Sequence, residues 1–250
     1  MCTILLAYKK IPGWPLVVAN NRDAFFQRRA LPPRVYRAHN NPGLSWLASC
    51  DLSGGGSWWG YNNRGLMVWL TNCWTGSESA SGLRSRGDLV TELLACDDLL
   101  KARQYLENVC DGQTFNPFNL IIATRENAFL ATNSPDLEFA PLNAGYHYLG
   151  NGSIVDRTSV KAANALNLFS GFTGAETLSE ILEIMCKALR TPLPDDSIPP
   201  QGFNVTFEGY GTTSSLLLAL AEKEALQLQY CAENPRVGSY QDYSRLALLL

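Results

Sequence analysis

The strongest constraint on how this chain can fold is the order in which its hydrophobic periodicity changes: strand-like, then helical, strand-like, helical and strand-like again. Residues 3–8 and 16–21 are β-rich runs on either side of Ile11-Pro12-Gly13-Trp14-Pro15, which reads as a hairpin turn. After a polar segment containing prolines, residues 45–50, 57–61 and 66–72 continue as strands, broken by Gly54-Gly55-Gly56 and by Asn62-Asn63-Arg64-Gly65. Residues 86–96 change period, with Leu89, Val90, Leu93 and Leu94 on one helical face, and a second helix is expected over 98–109. Strands return at 120–124, 128–132, 138–142 and 146–150, and helical spacing at 158–169 and 176–190. The proline-rich stretch 191–204 reads as a mobile loop or lid, followed by a hairpin of 214–221 with 225–230 and a closing strand at 245–250. Blocks of antiparallel strand separated by paired helices predict an α+β fold of one domain, residues 1–250: two antiparallel sheets face to face with helices outside, a four-layer αββα sandwich.

A chain of 250 residues can bury a core of that size. Its formal net charge of -3 offers no field for a nucleic-acid backbone, so nucleic acid is excluded as a partner. No apolar stretch approaches the roughly 18 residues needed to span a bilayer. Lys9 and Lys10 follow the first apolar run, the reverse of a secretory signal. Seven cysteines, an odd number with no CxxC pair, fit a reducing compartment, and the expected location is cytoplasmic.

Cys2 is the first residue that suggests chemistry. If Met1 is removed, it carries a thiol nucleophile and an α-amine, which titrates at roughly 7.7–8.0 and can act as base without a histidine. The hairpin returns Asn20-Asn21-Arg22-Asp23 to the side of Cys2. There an arginine favours the thiolate and an aspartate can hold an ammonium group; the plainer reading of Arg22 and Asp23 is an ion pair ending a strand.

Cys2, Val18-Ala19-Asn20-Asn21-Arg22-Asp23-Ala24-Phe25, Gly56-Ser57-Trp58-Trp59-Gly60 and Leu70-Thr71-Asn72 together resemble the NRDE family, the transport and Golgi organisation protein 2 family. Arg84-Ser85-Arg86-Gly87-Asp88-Leu89-Val90, Pro117-Phe118-Asn119-Leu120-Ile121, Leu149-Gly150-Asn151 and Tyr210-Gly211-Thr212 extend the resemblance in the same order. The glutamate of the name-giving Asn-Arg-Asp-Glu is Ala24 here. The family is similar to N-terminal-nucleophile (Ntn) hydrolases of the choloylglycine hydrolase and penicillin V acylase type, which implies an Ntn-hydrolase-like αββα core. The resemblance implies Cys2 as nucleophile, Arg22 as thiolate stabiliser and Asp23 as amine anchor. Asn72 would be an oxyanion donor, with Asn151 beside the acyl oxygen and Arg157 placed to hold a carboxylate or propionate. A ligand site would draw on Cys2, Asn21, Arg22, Asp23, Trp58, Asn72, Arg86 and Arg157. Trp58, Trp59, Trp69 and Trp74 could line an apolar pocket, although Trp69 within its strand is the better core residue.

Two function classes follow. One is an intracellular haem carrier, which the resemblance implies, passing haem or another flat or acyl hydrophobic metabolite between donor and acceptor proteins with Cys2 and Arg22 on the cargo. No cofactor is required, haem being cargo, and no metal site is expected. The other is an N-terminal cysteine amidohydrolase acting on linear amides or acyl thioesters. With Met1 retained Cys2 has no free amine, and Ala24 removes an acid, so the carrier is the expectation. Only His39 and His147 offer imidazole to iron, and weak ligation suits a carrier that must release.

Overall fold

A computed structural model of the chain describes residues 2–39, 41–76, 80–110, 114–152, 159–174, 176–192, 202–223 and 225–250. In chain order the elements are β1 (Thr3–Ile11), β2 (Trp14–Phe25), β3 (Ala30–Ala38), β4 (Asn41–Asp51), β5 (Trp59–Asn62), β6 (Met67–Asn72), α1 (Arg86–Leu94) and α2 (Leu99–Val109). They continue as β7 (Phe118–Ala123), β8 (Ala128–Asn133), β9 (Leu137–Pro141), β10 (Gly145–Leu149), α3 (Val160–Ser170), α4 (Leu178–Arg190), β11 (Thr206–Phe207), β12 (Tyr210–Leu220), β13 (Leu226–Cys231) and β14 (Gln241–Asp242). A 3-10 helix at Ser244–Leu249 closes the chain. Each of two compact units, Met1–Gln27 with Asn143–Ser244 and Arg28–Leu142 with Arg245–Leu250, holds one antiparallel sheet and one helix pair.

In the first unit β10, β1, β2, β12, β13 and β14 lie in that order, with β11 paired to β12. The tight β1–β2 turn places Gly13 at φ 76, a conformation glycine adopts without a Cβ penalty. Leu5, Ala7, Val17, Ala19, Leu217 and Ala219 share one face of this sheet and pack against Ala165 of α3 and Ile181, Met185, Ala188 and Leu189 of α4. Ile4, Leu6, Leu16, Val18, Leu216 and Leu218, on the opposite face, are buried as well. Burial on both faces explains why β1, β2 and β12 read as near-continuous apolar runs rather than alternating ones. α3 starts on Ser159 and α4 on Thr177, the latter completing a capping box with Glu180.

In the second unit β3 to β9 follow one another across the sheet, so every neighbour is also a sequence neighbour or a connection through α1 and α2. Val68, Leu70, Leu120 and Ile122 meet Leu89, Val90, Leu93 and Leu94 of α1 and Ala102 and Leu106 of α2. Two of the sequence motifs are one packing device. A Cβ on Gly56 would stand 2.1 Å from the carbonyl carbon of Gly87, so the strand turn and the first turn of α1 meet backbone to backbone, and the Ser57 amide donates to Gly87 O at 3.1 Å. Asn62, fully buried, ties the other end of α1. Its Nδ2 donates to Leu94 O and Cys96 O at 2.9 and 2.8 Å, while its Oδ1 accepts from the Arg64 and Leu66 amides.

Two segments differ from expectation. The proline-bearing stretch after β2 forms β3, an edge strand whose pairing with β4 shifts register between Leu31 and Arg34. Pro32 and Pro33 fall within that shift, where a missing amide costs no ladder bond. The expected closing strand is a 3-10 helix, because β14 ends after two residues and the Asp242 side chain accepts the Ser244 amide at 2.8 Å, turning the backbone. Leu248 is 85% exposed there, so the apolar run has no sheet to join. Most of the expected 191–204 lid lies outside the described residues.

Candidate functional site at the start of the first strand

β1 and β2 pair Thr3 with Asn21 and Ile4 with Asn20, and this register continued by one residue sets Cys2 opposite Arg22. Side chains alternate along a strand, so the residues around Cys2 separate into two sets. Cys2, Asn20 and Arg22 share the face of Ile4, away from the helices. Thr3, Asn21 and Asp23 share the face of Leu5, against α3 and α4. On the other flank of β1, β10 ends with Leu149 opposite Ile4, and the chain leaves it toward Asn151 on the Cys2 side.

Cys2 is partly exposed at the mouth of this arrangement. Arg22 is buried, and its Nη1 donates to Thr213 Oγ1 at 2.9 Å while that hydroxyl donates to Arg22 O at 3.2 Å. Thr213 is the residue at which the β2–β12 register shifts, and the bulge frees its side chain for this double contact. Ser214 pairs across with Arg22 and therefore shares its face. Asn20 Nδ2 donates to Thr3 O at 2.8 Å. Asn20 Oδ1 and Ser214 Oγ, both buried on this face, have no hydrogen-bond partner among the described residues. Buried polar atoms in that state are uncommon and call for a ligand or water.

Behind the sheet, Asp23 has a fully buried carboxylate. Its Oδ2 accepts from Lys161 Nζ at 3.0 Å and its Oδ1 from Thr212 Oγ1 at 2.7 Å. Lys161 Nζ also donates to Thr3 Oγ1 at 2.8 Å. Asp23 thus bonds a cation from α3, 138 residues away in sequence. Sequence reasoning missed Lys161, Thr212 and Thr3. Lys161 left one trace, a lone cation at helical spacing from the buried Asn164 and Ala165. Asn21 serves the fold on the same side: its Nδ2 donates to Leu189 O at the end of α4 and to Phe203 O.

Most of the remaining candidates fall in the second unit or outside the described residues; His147, on β10, belongs to the first. Asn72 ends β6 and is exposed. Trp58 is buried, its carbonyl accepting from the Leu70 amide at 2.9 Å. Arg86 opens α1 and donates to Pro117 O at 2.8 Å. Arg157 lies outside the described residues. Of the other tryptophans, Trp59 and Trp69 are fully buried, Trp59 donating to Ser49 Oγ at 3.0 Å, and Trp74 is exposed. His147 bonds the Asn143 carbonyl at 2.8 Å, and burial pushes it below the usual imidazole value. All seven cysteines are free thiols; burial raises Cys73 and Cys231 and pushes Cys96 and Cys110 up to about 11.

A family model, "Transport and Golgi organisation 2" (TANGO2), matches residues 1–231. The chain belongs to the TANGO2 family. Among curated TANGO2 relatives, the Bos taurus homolog is 34% identical over 128 residues, 49% of this chain and 45% of the relative. The Homo sapiens homolog is 33% identical over 135 residues, 51% of this chain and 47% of the relative. Each match spans about half the length of those relatives. Among solved structures, a Caenorhabditis elegans N-acylethanolamine-hydrolyzing acid amidase ortholog superposes with a TM-score of 0.58 at 12% identity, covering 87% of this chain and 92% of that one. Penicillin V acylase from Agrobacterium tumefaciens gives 0.57 at 12% identity, covering 99% and 88%. The C2A mutant of conjugated bile acid hydrolase from Clostridium perfringens gives 0.56 at 13% identity, covering 97% and 96%. At these identities the likeness shows the fold: this TANGO2-family chain has the Ntn-hydrolase fold. No helix among the described residues is long and apolar enough to cross a membrane.

Proposed function

We propose that this TANGO2-family chain is a cytoplasmic carrier of haem, or of a flat hydrophobic anion like it, that binds at the Cys2 and Arg22 face of the first sheet. One observation carries the reading. A partly exposed thiol, a buried guanidinium and two buried polar atoms without partners, Asn20 Oδ1 and Ser214 Oγ, share a face, while the acid of the motif is bonded to Lys161 behind the sheet. Thiolate is a known haem ligand type, and a guanidinium matches a propionate through paired N–H donors. Seven free thiols suit a reducing compartment. Donor and acceptor proteins for the cargo follow from the carrier role.

Titration of the purified full chain with haem tests this directly. A saturable shift of the Soret band, weakened about tenfold or more in Cys2→Ala and in Arg22→Ala, is the expected result. No saturable shift, or one that both variants leave unchanged, ends the proposal.

The hydrolase-type fold supports a second reading. With Met1 removed, Cys2 Sγ would attack an amide or thioester carbon, its proton passing to the α-amine and then to the leaving group, before water releases the acid. Intact mass decides it: an acyl adduct on a chain that begins at Cys2 would establish this route, and persistence of Met1 in protein from the native host would exclude it.

A further inference from the structure

Phe25 at the end of β2, Phe26 just after it and Phe207 in β11 are 65%, 49% and 50% exposed, and the strand pairing gathers all three at one end of the first sheet. Phe207 pairs with Tyr210 and Tyr210 with Phe25, so their rings form one row across β11, β12 and β2 on a single face. Phe25 and Tyr210 meet edge to face with centroids 5.3 Å apart. Phe26 takes the opposite face: a Cβ on Gly211 would stand 3.2 Å from its Cε1, so the ring lies against bare backbone. The tip is thus a thin wedge with aromatic surface on both sides. Its backbone is paired. At Tyr210 and Gly211 β12 bonds β11 on one flank and β2 on the other, the Phe26 amide donates to Gly209 O at 3.0 Å, and the Tyr210 hydroxyl donates to Asp23 O at 3.1 Å. In residues 24–27 and 206–211 the one charged residue is Glu208, in the turn.

We propose that this wedge is a docking tip for a lipid surface, entering the interfacial zone of a bilayer with Phe25, Phe26 and Phe207. The exposed area selects the partner. A phenylalanine offers about 200 Å², so the exposed fractions leave about 300 Å² of ring surface in water, well short of the about 800 Å² per side that a stable protein interface buries. A lipid surface asks for no such area and no matching shape, since each ring that leaves water adds to binding. What it does require is that backbone groups entering it keep their partners, and the pairing on both flanks of β12 supplies that. The attraction is apolar. With Glu208 as its charge, the tip gains nothing from anionic headgroups. The inference uses neither Cys2 nor Arg22 nor haem, so it goes beyond the carrier reading and stands apart from it.

Co-sedimentation of the purified full chain with vesicles tests this, using phosphatidylcholine alone and phosphatidylcholine mixed with phosphatidylserine. The parent chain is expected to pellet with both, no more strongly with the anionic mixture. Phe25→Ser should lower the partition coefficient about fivefold, and the triple variant Phe25→Ser, Phe26→Ser, Phe207→Ser about thirtyfold or more. Glu208→Gln should raise it about twofold, because a charge leaves the turn between the rings. Phe207→Trp keeps an aromatic ring at an exposed position and should bind as well as the parent or better, tryptophan being favoured at the interface. Should the triple variant fail to fold, Phe25→Ser against Phe207→Trp decides: the first must weaken binding and the second must not. The proposal is overturned if the parent chain does not pellet with vesicles, if the triple variant binds as the parent does, or if binding is confined to the anionic mixture. Pelleting without vesicles that the triple variant abolishes also overturns it, since the rings would then join copies of the chain. Haem titration without vesicles keeps the two readings distinguishable: failure there leaves the tip in place, and failure on vesicles leaves the carrier reading in place.

Discussion

Replacing Lys161 by methionine should be among the most damaging single changes in the first unit, and the structure says by how much. The substitution keeps the length and most of the apolar stem of the side chain, so little packing is lost. What disappears is a cation with two hydrogen bonds, to Asp23 Oδ2 at 3.0 Å and Thr3 Oγ1 at 2.8 Å. Asp23 retains Thr212 Oγ1 at 2.7 Å, but its fully buried carboxylate then faces no lysine charge. Breaking a buried pair from one side costs about 3–5 kcal/mol. Replacing both partners by neutral groups of similar shape costs far less, about 0–2 kcal/mol, since no uncompensated charge remains. The double variant Asp23→Asn with Lys161→Met should therefore be more stable than Lys161→Met alone, and the coupling between the sites should reach about 2 kcal/mol or more. Urea unfolding followed by tryptophan fluorescence measures this. At a slope of about 3 kcal/mol per molar, Lys161→Met lowers the midpoint by a little over 1 M without changing the slope. A loss below about 1 kcal/mol for Lys161→Met, or a double variant as unstable as the sum of the singles, would refute the reasoning.

Asn62→Ala removes four hydrogen bonds from a fully buried side chain and should cost about 3–4 kcal/mol, with faster amide exchange at the end of α1; a loss under about 1 kcal/mol contradicts the assigned role. His147 is held below its ordinary value of 6.5 by burial, so as pH falls through 6.5 the unfolded chain takes up a proton that the folded chain resists. Stability should fall in that range by no more than about 1.4 kcal/mol per pH unit, and His147→Gln should flatten the decline, as urea midpoints at pH 7.5 and 5.5 would show. Ala24→Glu places a carboxylate two residues from Arg22 on the same strand face; by competing for the guanidinium it should weaken binding of haem about fivefold, and equal or tighter binding would show that Arg22 is not the anion contact.

The start of the first strand was legible because a single local fact fixes it. Pro12-Gly13 closes a short turn, the flanking runs are apolar, and the pairing that follows must bring residues 20–23 back to Cys2. The helix faces of α1 and α4 were legible for the same reason, each depending on a window of a few turns. Lys161 was not, because its partner lies 138 residues away and depends on how α3 sits over the sheet, a property no local pattern encodes. β3 was hidden by prolines that only an edge position tolerates, and the closing 3-10 helix by leucines whose β-like run carries no information about whether a neighbouring strand has ended.

The adjacent letters Arg22 and Asp23 show why a motif can be read correctly as a cluster and still be misread as a site. A strand sends successive side chains to opposite faces, so two residues that are neighbours in the chain are separated by the whole thickness of the sheet. The even positions, Cys2, Asn20, Arg22 and Ala24, share one surface; the odd ones, Thr3, Asn21 and Asp23, meet α3, α4 and Thr212. The motif is therefore two structures interleaved: a row that holds the first sheet to its helices and a row on the face of Cys2. The position where the family carries glutamate belongs to the second row, and its loss to alanine removes an acid from beside Arg22 while leaving the Asp23 and Lys161 tie untouched. On the proposed carrier reading, that combination keeps the scaffold and leaves one acid fewer beside Arg22, which suits an anionic cargo better than it suits a constellation needing an acid beside its nucleophile.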